Sequence, residues 1–463
     1  MKNLMARNKI SALFDANSFV EIGALIKSKS TAFSLSSEDT LTDGVVCGYG
    51  TVGGKLVYAC AQDESIMNGA LGEMHTRKII KTYDEAKKVG APVVMFLCTT
   101  GVRLEEGVDT LEWYGKLYKT MAKAKGVVPQ ITIVCGKAQG GVAILCGMSD
   151  FVFMDSKNAK VFLASTNTME DKNAKLDDIQ TSSVHASKSG LAQFAGDEAY
   201  ITAHVKELIS IIPSNYLDSN YVECSDDLNR VDASLNNFDF VTQDVTKIIT
   251  SIADNNKYIA ISEEFGKSVT TGFIKLNGAT IGVIANADKG ICIEGIKKSN
   301  KILQFCKSFN LPILTLVNVT HFASSIDSEQ NGIIEQFSEF VLKVATAEIP
   351  KVSVILNDAF GTPYVIMNSG HIGADVVYAW PTANISLMPT DSAIKIMYSE
   401  ELASGTVSQE KLNELVQEYN AQNSGVNGVA SRGYIDDIIE PGATRKRLIA
   451  AFEMLYTKGY NKR

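Results

Sequence analysis

The sequence predicts an α/β protein in which one domain is built twice in tandem, each copy carrying mostly parallel sheets covered by helices. Three observations predict it. Runs such as Pro92–Cys98 and Ile131–Cys135 are apolar at consecutive positions, as strands buried on both faces are. These runs alternate with amphipathic helical stretches, which parallel strands need as crossovers. The pattern then repeats in order. Gly48-Tyr-Gly-Thr-Val-Gly-Gly-Lys-Leu-Val-Tyr58 returns as Gly272-Phe-Ile-Lys-Leu-Asn-Gly-Ala-Thr-Ile-Gly282. Lys78-Ile-Ile with Val89-Gly-Ala-Pro-Val-Val-Met-Phe96 returns as Lys301-Ile-Leu with Asn310-Leu-Pro-Ile-Leu-Thr-Leu316, and Val128-Pro-Gln-Ile-Thr-Ile-Val134 as Ile349-Pro-Lys-Val-Ser-Val-Ile355. The shifts are 224, 220 and 221 residues, far above a solenoid period of roughly 20–50.

Each half reads alike from its start. A hairpin turns at Val52-Gly-Gly-Lys55 or Leu276-Asn-Gly-Ala279, where glycine and asparagine supply positive φ. A helix, a buried strand, a second helix and a second buried strand follow. The polar stretch Cys224–Asp244 marks the division, giving domains 1–240 and 241–463. Glu401–Ser431 is polar and reads as a helix plus a long loop.

Composition narrows the class. The 463 residues carry 44 Lys and Arg against 52 Asp and Glu, a formal charge of −8, so no cationic excess exists to bind nucleic acid. No run approaches the ~18 apolar residues of a membrane helix. The N-terminal stretch lacks an apolar signal core, so a cytoplasmic location is expected. The eight cysteines form no C-x-x-C pair and mostly lie in apolar runs, as reduced buried thiols do. No metal site is expected.

Candidate chemistry is sparse. Gly48-Tyr-Gly-Thr-Val-Gly53 matches G-x-G-x-x-G, but a strand follows where the dinucleotide motif needs a helix, so it reads as a hairpin turn. The sharper feature is Ile131-Thr-Ile-Val-Cys-Gly-Lys-Ala-Gln-Gly-Gly-Val-Ala-Ile-Leu145, a strand running through glycines into an apolar helix. Free amides of Gly140 and Gly141 there would suit a developing oxyanion; alternatively the glycines serve the turn and close packing. The corresponding place, Asn357-Asp-Ala-Phe-Gly-Thr-Pro-Tyr364, repeats the junction, but Pro363 has no N–H. His321 follows a buried strand at its C-terminal end, where α/β sites lie. Arg103-Leu-Glu-Glu106 has a comparable place in the first half and reads as a solvated charge cluster. Arg445-Lys-Arg447 reads as solvent-facing on the last helix, with contact to a coenzyme A phosphate as the alternative. No nucleophile elbow or H-E-x-x-H motif occurs.

Taken together, the segments resemble a family: the carboxyltransferase subunits of biotin-dependent acyl-CoA carboxylases and related decarboxylases, of the propionyl-CoA carboxylase β and methylmalonyl-CoA decarboxylase α types. The resemblance covers nearly the whole chain. It rests on Leu13-Phe-Asp-Ala-Asn-Ser-Phe-Val-Glu-Ile22, Asp43-Gly-Val-Val-Cys-Gly-Tyr-Gly50, Ala61-Gln-Asp63 with Gly69, Arg103 with Glu106-Gly107, and Ser189-Gly190. In the second half it rests on Phe265-Gly-Lys-Ser-Val-Thr-Thr-Gly272, Tyr378-Ala-Trp-Pro-Thr-Ala383 and Gly433-Tyr-Ile-Asp-Asp-Ile-Ile439 with Thr444-Arg445.

What the resemblance implies is two tandem crotonase-like domains, the first on the acyl-CoA side and the second on the biotin side. Biotin would arrive on a separate carrier protein, and a coenzyme A thioester would be the substrate. Biotin carboxylase or membrane decarboxylase subunits would be partners, in a homo- or hetero-oligomer with sites at subunit interfaces. Gly140 and Gly141 would hold the thioester enolate; Gly361, Thr362 and Pro363 would form the second hole, with Thr362 its only remaining donor. Gly101, Arg103, His321 and Val365 would bind substrate, Val365 at the position that tunes acyl-chain preference. The chain departs from the family at Thr99-Thr-Gly-Val-Arg103, Ile179-Gln-Thr-Ser-Ser-Val-His185, Val319-Thr-His-Phe-Ala-Ser-Ser325 and Gly332-Ile-Ile334, losing glycines and prolines mainly in the second half. Two further readings follow: a catalytically weakened paralogue serving as a structural or CoA-binding subunit, or a biotin-independent hydratase relying on Glu105 and Glu106.

Overall fold

The computed structural model describes residues 5–33, 42–164, 169, 175, 177–219, 221–404, 408–420 and 425–458. It divides into two compact units, Met1–Asn220 and Tyr221–Arg463. The polar stretch 224–244 packs within the second unit: Leu235 joins its core, and the Asp232 N–H donates to Gly442 O at 3.0 Å.

The first unit opens with helix α1 (Met5–Leu13) and strand β1 (Val20–Ile22). The expected hairpin is β2 (Val45–Val52) and β3 (Lys55–Gln62), turning on Gly53 and Gly54 at φ +56 and +80. Then come α2 (Glu73–Val89), β4 (Val93–Thr99), α3 (Asp109–Ala124) and β5 (Gln130–Gln139). Helix α4 (Gly141–Met148), β6 (Phe151–Asp155), β7 (Lys160–Phe162), β8 (Phe194–Gly196) and α5 (Glu198–Ile211) complete it. The sheet order is β1-β2-β3-β4-β5-β6-β8, with β7 on the far end of β5. Pairings are antiparallel through β3 and parallel beyond it.

Side-chain spacing accounts for the helices. α2 buries Ile79, Tyr83 and Ala86, begins with Glu73, ends with Lys87 and Lys88, and stops at left-handed Gly90. α3 buries Trp113, Leu117, Met121 and Ala124 at steps of four, four and three. Both cover Val93, Met95 and Leu97 of β4. Leu117 and Met121 are fully buried, together worth roughly 4 kcal/mol of apolar burial.

The second unit repeats the plan. It contains β9 (Tyr258–Ile261), β10 (Val269–Leu276), β11 (Ala279–Asn286), β12 (Gly290–Ile291), α6 (Ile293–Ser308), β13 (Ile313–Val319), β14 (His321–Phe322) and α7 (Ile333–Ala345). Next are β15 (Lys351–Phe360), α8 (Gly361–Ile366), β16 (Val376–Ala379) and β17 (Asn384–Ser386). Helix α9 (Gln409–Tyr419), β18 (Asp437–Ile438) and α10 (Thr444–Met454) follow. The order is β18-β16-β15-β13-β11-β10-β9, with β17 on the far end of β15. The segment read as one helix and a loop is more structured: besides α9, residues Ser399–Ala403 and Val426–Ala430 are helical.

Registers fix which residues correspond. β4 and β13 each carry an irregularity, between Leu97 and Thr99 and between Val317 and Val319. The bridge Leu71↔Val102 matches Ile291↔Phe322, a shift of 220. Lys78 therefore corresponds to Lys298 rather than to Lys301; both are buried and donate to backbone carbonyls, of Val45 and Ser262.

All eight cysteines are free, five of them buried, as expected. Among the described residues, no helix is long and apolar enough to cross a membrane.

Candidate functional site

In the first half, β5 ends one residue before Gly140, whose φ of +63 turns the chain into α4. The Gly140 N–H is not free, which corrects the expectation. It donates to Phe162 O at 3.0 Å, extending the β5–β7 ladder by one step. The amides left without an intrahelical acceptor are those of Gly141 and Val142, and neither has a backbone partner among the described residues. Gly141 is a glycine for a packing reason: a Cβ there would stand 2.8 Å from Tyr118 Oη, which donates to Gly141 O at 2.6 Å. The packing reading thus holds for Gly141, and the amides without a backbone acceptor lie one residue further along than expected.

The loop after β4 lies against this junction, because Gln139 Nε2 donates to Thr100 O at 2.5 Å. Gly101 is held by its own hydrogen bonds, its O accepting from Leu71 N–H at 2.8 Å and its N–H donating to Thr99 Oγ1 at 3.1 Å. Its backbone is left-handed, φ +127, and nothing lies within 4 Å of where a Cβ would stand.

Arg103 and Glu106 are not solvated. Arg103 is 2% exposed and donates to Ala70 O, Asp43 O and Ser28 Oγ at 3.1, 2.7 and 2.8 Å. Glu106 is equally enclosed: Oε1 lies 3.7 Å from Arg103, and Oε2 accepts the Glu73 N–H at 2.6 Å, capping α2. Five donors on a rigid fork can satisfy several carbonyls at once, which is why an arginine occupies this place. A polar chain continues beneath. Cys98 N–H donates to Gln62 Oε1, Gln62 Nε2 to His75 Nε2, and His75 Nδ1 to Asp43 O, at 3.0, 3.2 and 2.9 Å. Burial, reinforced by the nearby Arg103 charge, lowers the His75 pKa to about 3, so the ring is neutral. These residues position the loop and are not placed to meet a substrate.

At the C-terminal ends of β4, β5 and β6 the first unit has a cavity of about 720 Å³. Thr100, Cys98 and Cys135 line it, with four lysines (9, 137, 157 and 160) and the carboxylates of Glu64, Asp155 and Glu198. Burial, with the Glu64 carboxylate 2.9 Å away, pushes the Cys98 thiol up to about 12, and burial pushes Cys135 up to about 11. Neither is an activated nucleophile.

The second half repeats the junction. Gly361 has φ +59, β15 pairs with β17 up to Phe360↔Ser386, and α8 begins at Gly361. The shift of 221 that relates β5 to β15 sets Gly140 opposite Gly361, Gly141 opposite Thr362 and Val142 opposite Pro363. Thr362 is exposed, Pro363 buried and Val365 half-buried. By the shift of 220, His321 stands where the first half has Gly101. Strand β14, which carries His321, packs beside α8, the helix that carries Thr362 and Val365. The sequence placed His321 at a strand end and gave Gly101 only through the resemblance, and did not reveal that they correspond; counting 220 residues from either shows it.

Arg445 also departs from expectation. It is 2% exposed, donating to Ile252 O and Asp254 Oδ1, both at 2.7 Å. Arg447 is half-buried, pairs with Asp437 and lies over the Tyr378 ring.

Two copies of a strand–glycine–helix junction, each at the C-terminal end of a mostly parallel sheet, define a crotonase-like α/β protein built of two repeated units. A family model described as the carboxyl transferase domain matches residues 2–463, and the chain belongs to that family. It is 34% identical to the methylmalonyl-CoA decarboxylase subunit alpha of Propionigenium modestum, covering 98% of this chain and 90% of that one. It is also 34% identical to the propionyl-CoA carboxylase carboxyltransferase subunit of Haloferax mediterranei, over 98% and 91%. A crystal structure of transcarboxylase 12S, a hexamer with methylmalonyl-coenzyme A and methylmalonic acid bound, matches with a TM-score of 0.93 and 30% identity, over 98% and 89% of the two chains. The chain is thus a carboxyltransferase of the biotin-dependent acyl-CoA carboxylase and transcarboxylase family.

Proposed function

We propose that the chain moves a carboxyl group between carboxybiotin, held on a separate carrier protein, and a short-chain acyl-CoA. The first half would take the acyl-CoA and the second the biotin. The observation that carries this reading is the pair of unoccupied amides, Gly141 and Val142, beside an open glycine loop at Gly101. Two converging N–H donors suit an oxygen whose negative charge develops during reaction. Lys9, Lys137, Lys157 and Lys160, which line the cavity alongside Glu64, Asp155 and Glu198, would suit the phosphates of a coenzyme A thioester.

Carboxybiotin, when bound, supplies the carboxyl group. The Gly141 and Val142 amides would hold the thioester oxygen as the α-carbon becomes enolate-like. Thr362 N–H would hold the ureido oxygen in the second half, while Val365 would bound the acyl chain. Arg103 would act only through the loop it fixes. A carrier protein, biotin carboxylase or membrane decarboxylase subunits and further copies of the chain would complete the assembly, with sites formed where subunits meet.

Pro363 favours a second reading, a weakened paralogue that serves as a structural or CoA-binding subunit, because the second junction has one amide fewer. The hydratase reading loses its support, since Glu106 is committed to Arg103 and to the start of α2. The purified chain, supplied with free biotin, is expected to decarboxylate methylmalonyl-CoA or malonyl-CoA. Coenzyme A binding without turnover would decide for the structural subunit.

A further inference from the structure

On the reading that the second half receives biotin, we propose that His321 donates a hydrogen bond to the oxygen of its cyclic urea and takes the place of the amide missing at Pro363. The halves differ at two corresponding places. Val142 has an N–H where Pro363 has none. Gly101 has open space where His321 has an imidazole. Both differences lie at one junction, since β14 packs beside α8. An amide lost and a side-chain donor gained at the same junction are compensating changes.

The ring is also seated. Thr320 Oγ1 lies 2.9 Å from His321 Nδ1, whereas its contact to Lys289 O is longer, 3.3 Å. For His321 to donate, the hydroxyl gives its proton to Nδ1 rather than to Lys289 O, which leaves the ring proton on Nε2. The Thr320 N–H donates to Lys289 O at 2.7 Å and anchors the backbone. Gly290 makes the seat. Its φ does not require glycine, yet a Cβ there would stand 2.7 Å from His321 Nε2 and 3.0 Å from Cε1. Nearby, Lys289 pairs with Asp358 at 2.6 Å, which offsets that carboxylate.

The test is binding rather than turnover. Affinity of the full chain for free biotin, and for 2-imidazolidone as the bare urea, is measured by saturation-transfer NMR, with coenzyme A affinity as the control for folding. His321→Ala should weaken both urea ligands by about 5- to 20-fold, and Gly290→Ala should do the same by crowding the ring. In a Pro363→Ala background, where the amide is restored, His321→Ala should cost about two-fold or less. An equal loss in both backgrounds, or no loss in either, overturns the role of His321. If Thr362→Pro weakens biotin while His321→Ala does not, the biotin-side reading stands and this inference alone falls. If no second-half variant changes biotin affinity, the reading falls and this inference with it.

Discussion

Gly141 carries an amide proposed to touch the reacting oxygen, and its α-carbon sits against a tyrosine. In Gly141→Ala the backbone is unstrained, because φ is not left-handed, so the effect comes from contact alone. The new Cβ would stand 2.8 Å from Tyr118 Oη and 3.3 Å from Tyr114 Cζ. An ordinary carbon–oxygen contact needs about 0.5 Å more, so either the Tyr118 ring retreats or the amide moves. Tyr118 resists, since its hydroxyl is hydrogen-bonded to the same residue at 2.6 Å. Overpacking of this kind costs about 1–2 kcal/mol of stability. A donor displaced by several tenths of an ångström lowers kcat by about 10- to 100-fold, with a smaller effect on KM. Biotin-dependent decarboxylation of methylmalonyl-CoA reads this directly. Adding Tyr118→Phe removes the crowding oxygen and should recover part of kcat. A wild-type kcat in Gly141→Ala, or no recovery in the double variant, would refute the reasoning.

Three other outcomes are expected. Arg103→Met leaves Glu106 and two backbone carbonyls without their buried cation, so stability should fall by about 3–5 kcal/mol in urea unfolding; a loss below 1 kcal/mol would mean the cluster is solvated after all. Arg445→Met should cost a similar amount, because Asp254 loses its buried cation and Ile252 O its donor, and coenzyme A affinity of the folded fraction should not change. His75 stays neutral in the fold with its pKa near 3, while the unfolded chain protonates near 6.5. The unfolded state therefore binds the extra proton, and stability should decline as pH falls from 6.5 towards 3, by on the order of 2 kcal/mol between pH 6.5 and 5. His75→Gln should flatten that part of the urea-midpoint curve, and an unchanged slope would contradict the assignment.

Local chemistry made much of the architecture legible. Gly53-Gly54 and Asn277-Gly278 announce their hairpins, since few residues tolerate positive φ at both turn positions. Runs such as Val93–Leu97 can be satisfied only between two covered faces. What stayed hidden depended on partners distant in sequence. The Gly140 amide is consumed by Phe162 through a strand of three residues that no local pattern marks. Arg103 and Arg445 look like surface charges because a charged side chain does not disclose which carbonyls the fold will bring to it. The correspondence of His321 with Gly101 was present in the numbering but masked by chemistry, since an imidazole and a bare α-carbon share no sequence signal.

The central claim is that backbone amides of the first junction carry the chemistry, and Val142→Pro tests it most directly. The chain already accepts proline at the corresponding position, Pro363, and proline is tolerated in the first turn of a helix. The substitution therefore removes one N–H without unfolding α4. With that donor gone, kcat for biotin-dependent decarboxylation of methylmalonyl-CoA should fall by about 100- to 1,000-fold while coenzyme A affinity stays within about three-fold. A Val142→Pro variant that folds, binds coenzyme A and turns over at the wild-type rate would contradict it.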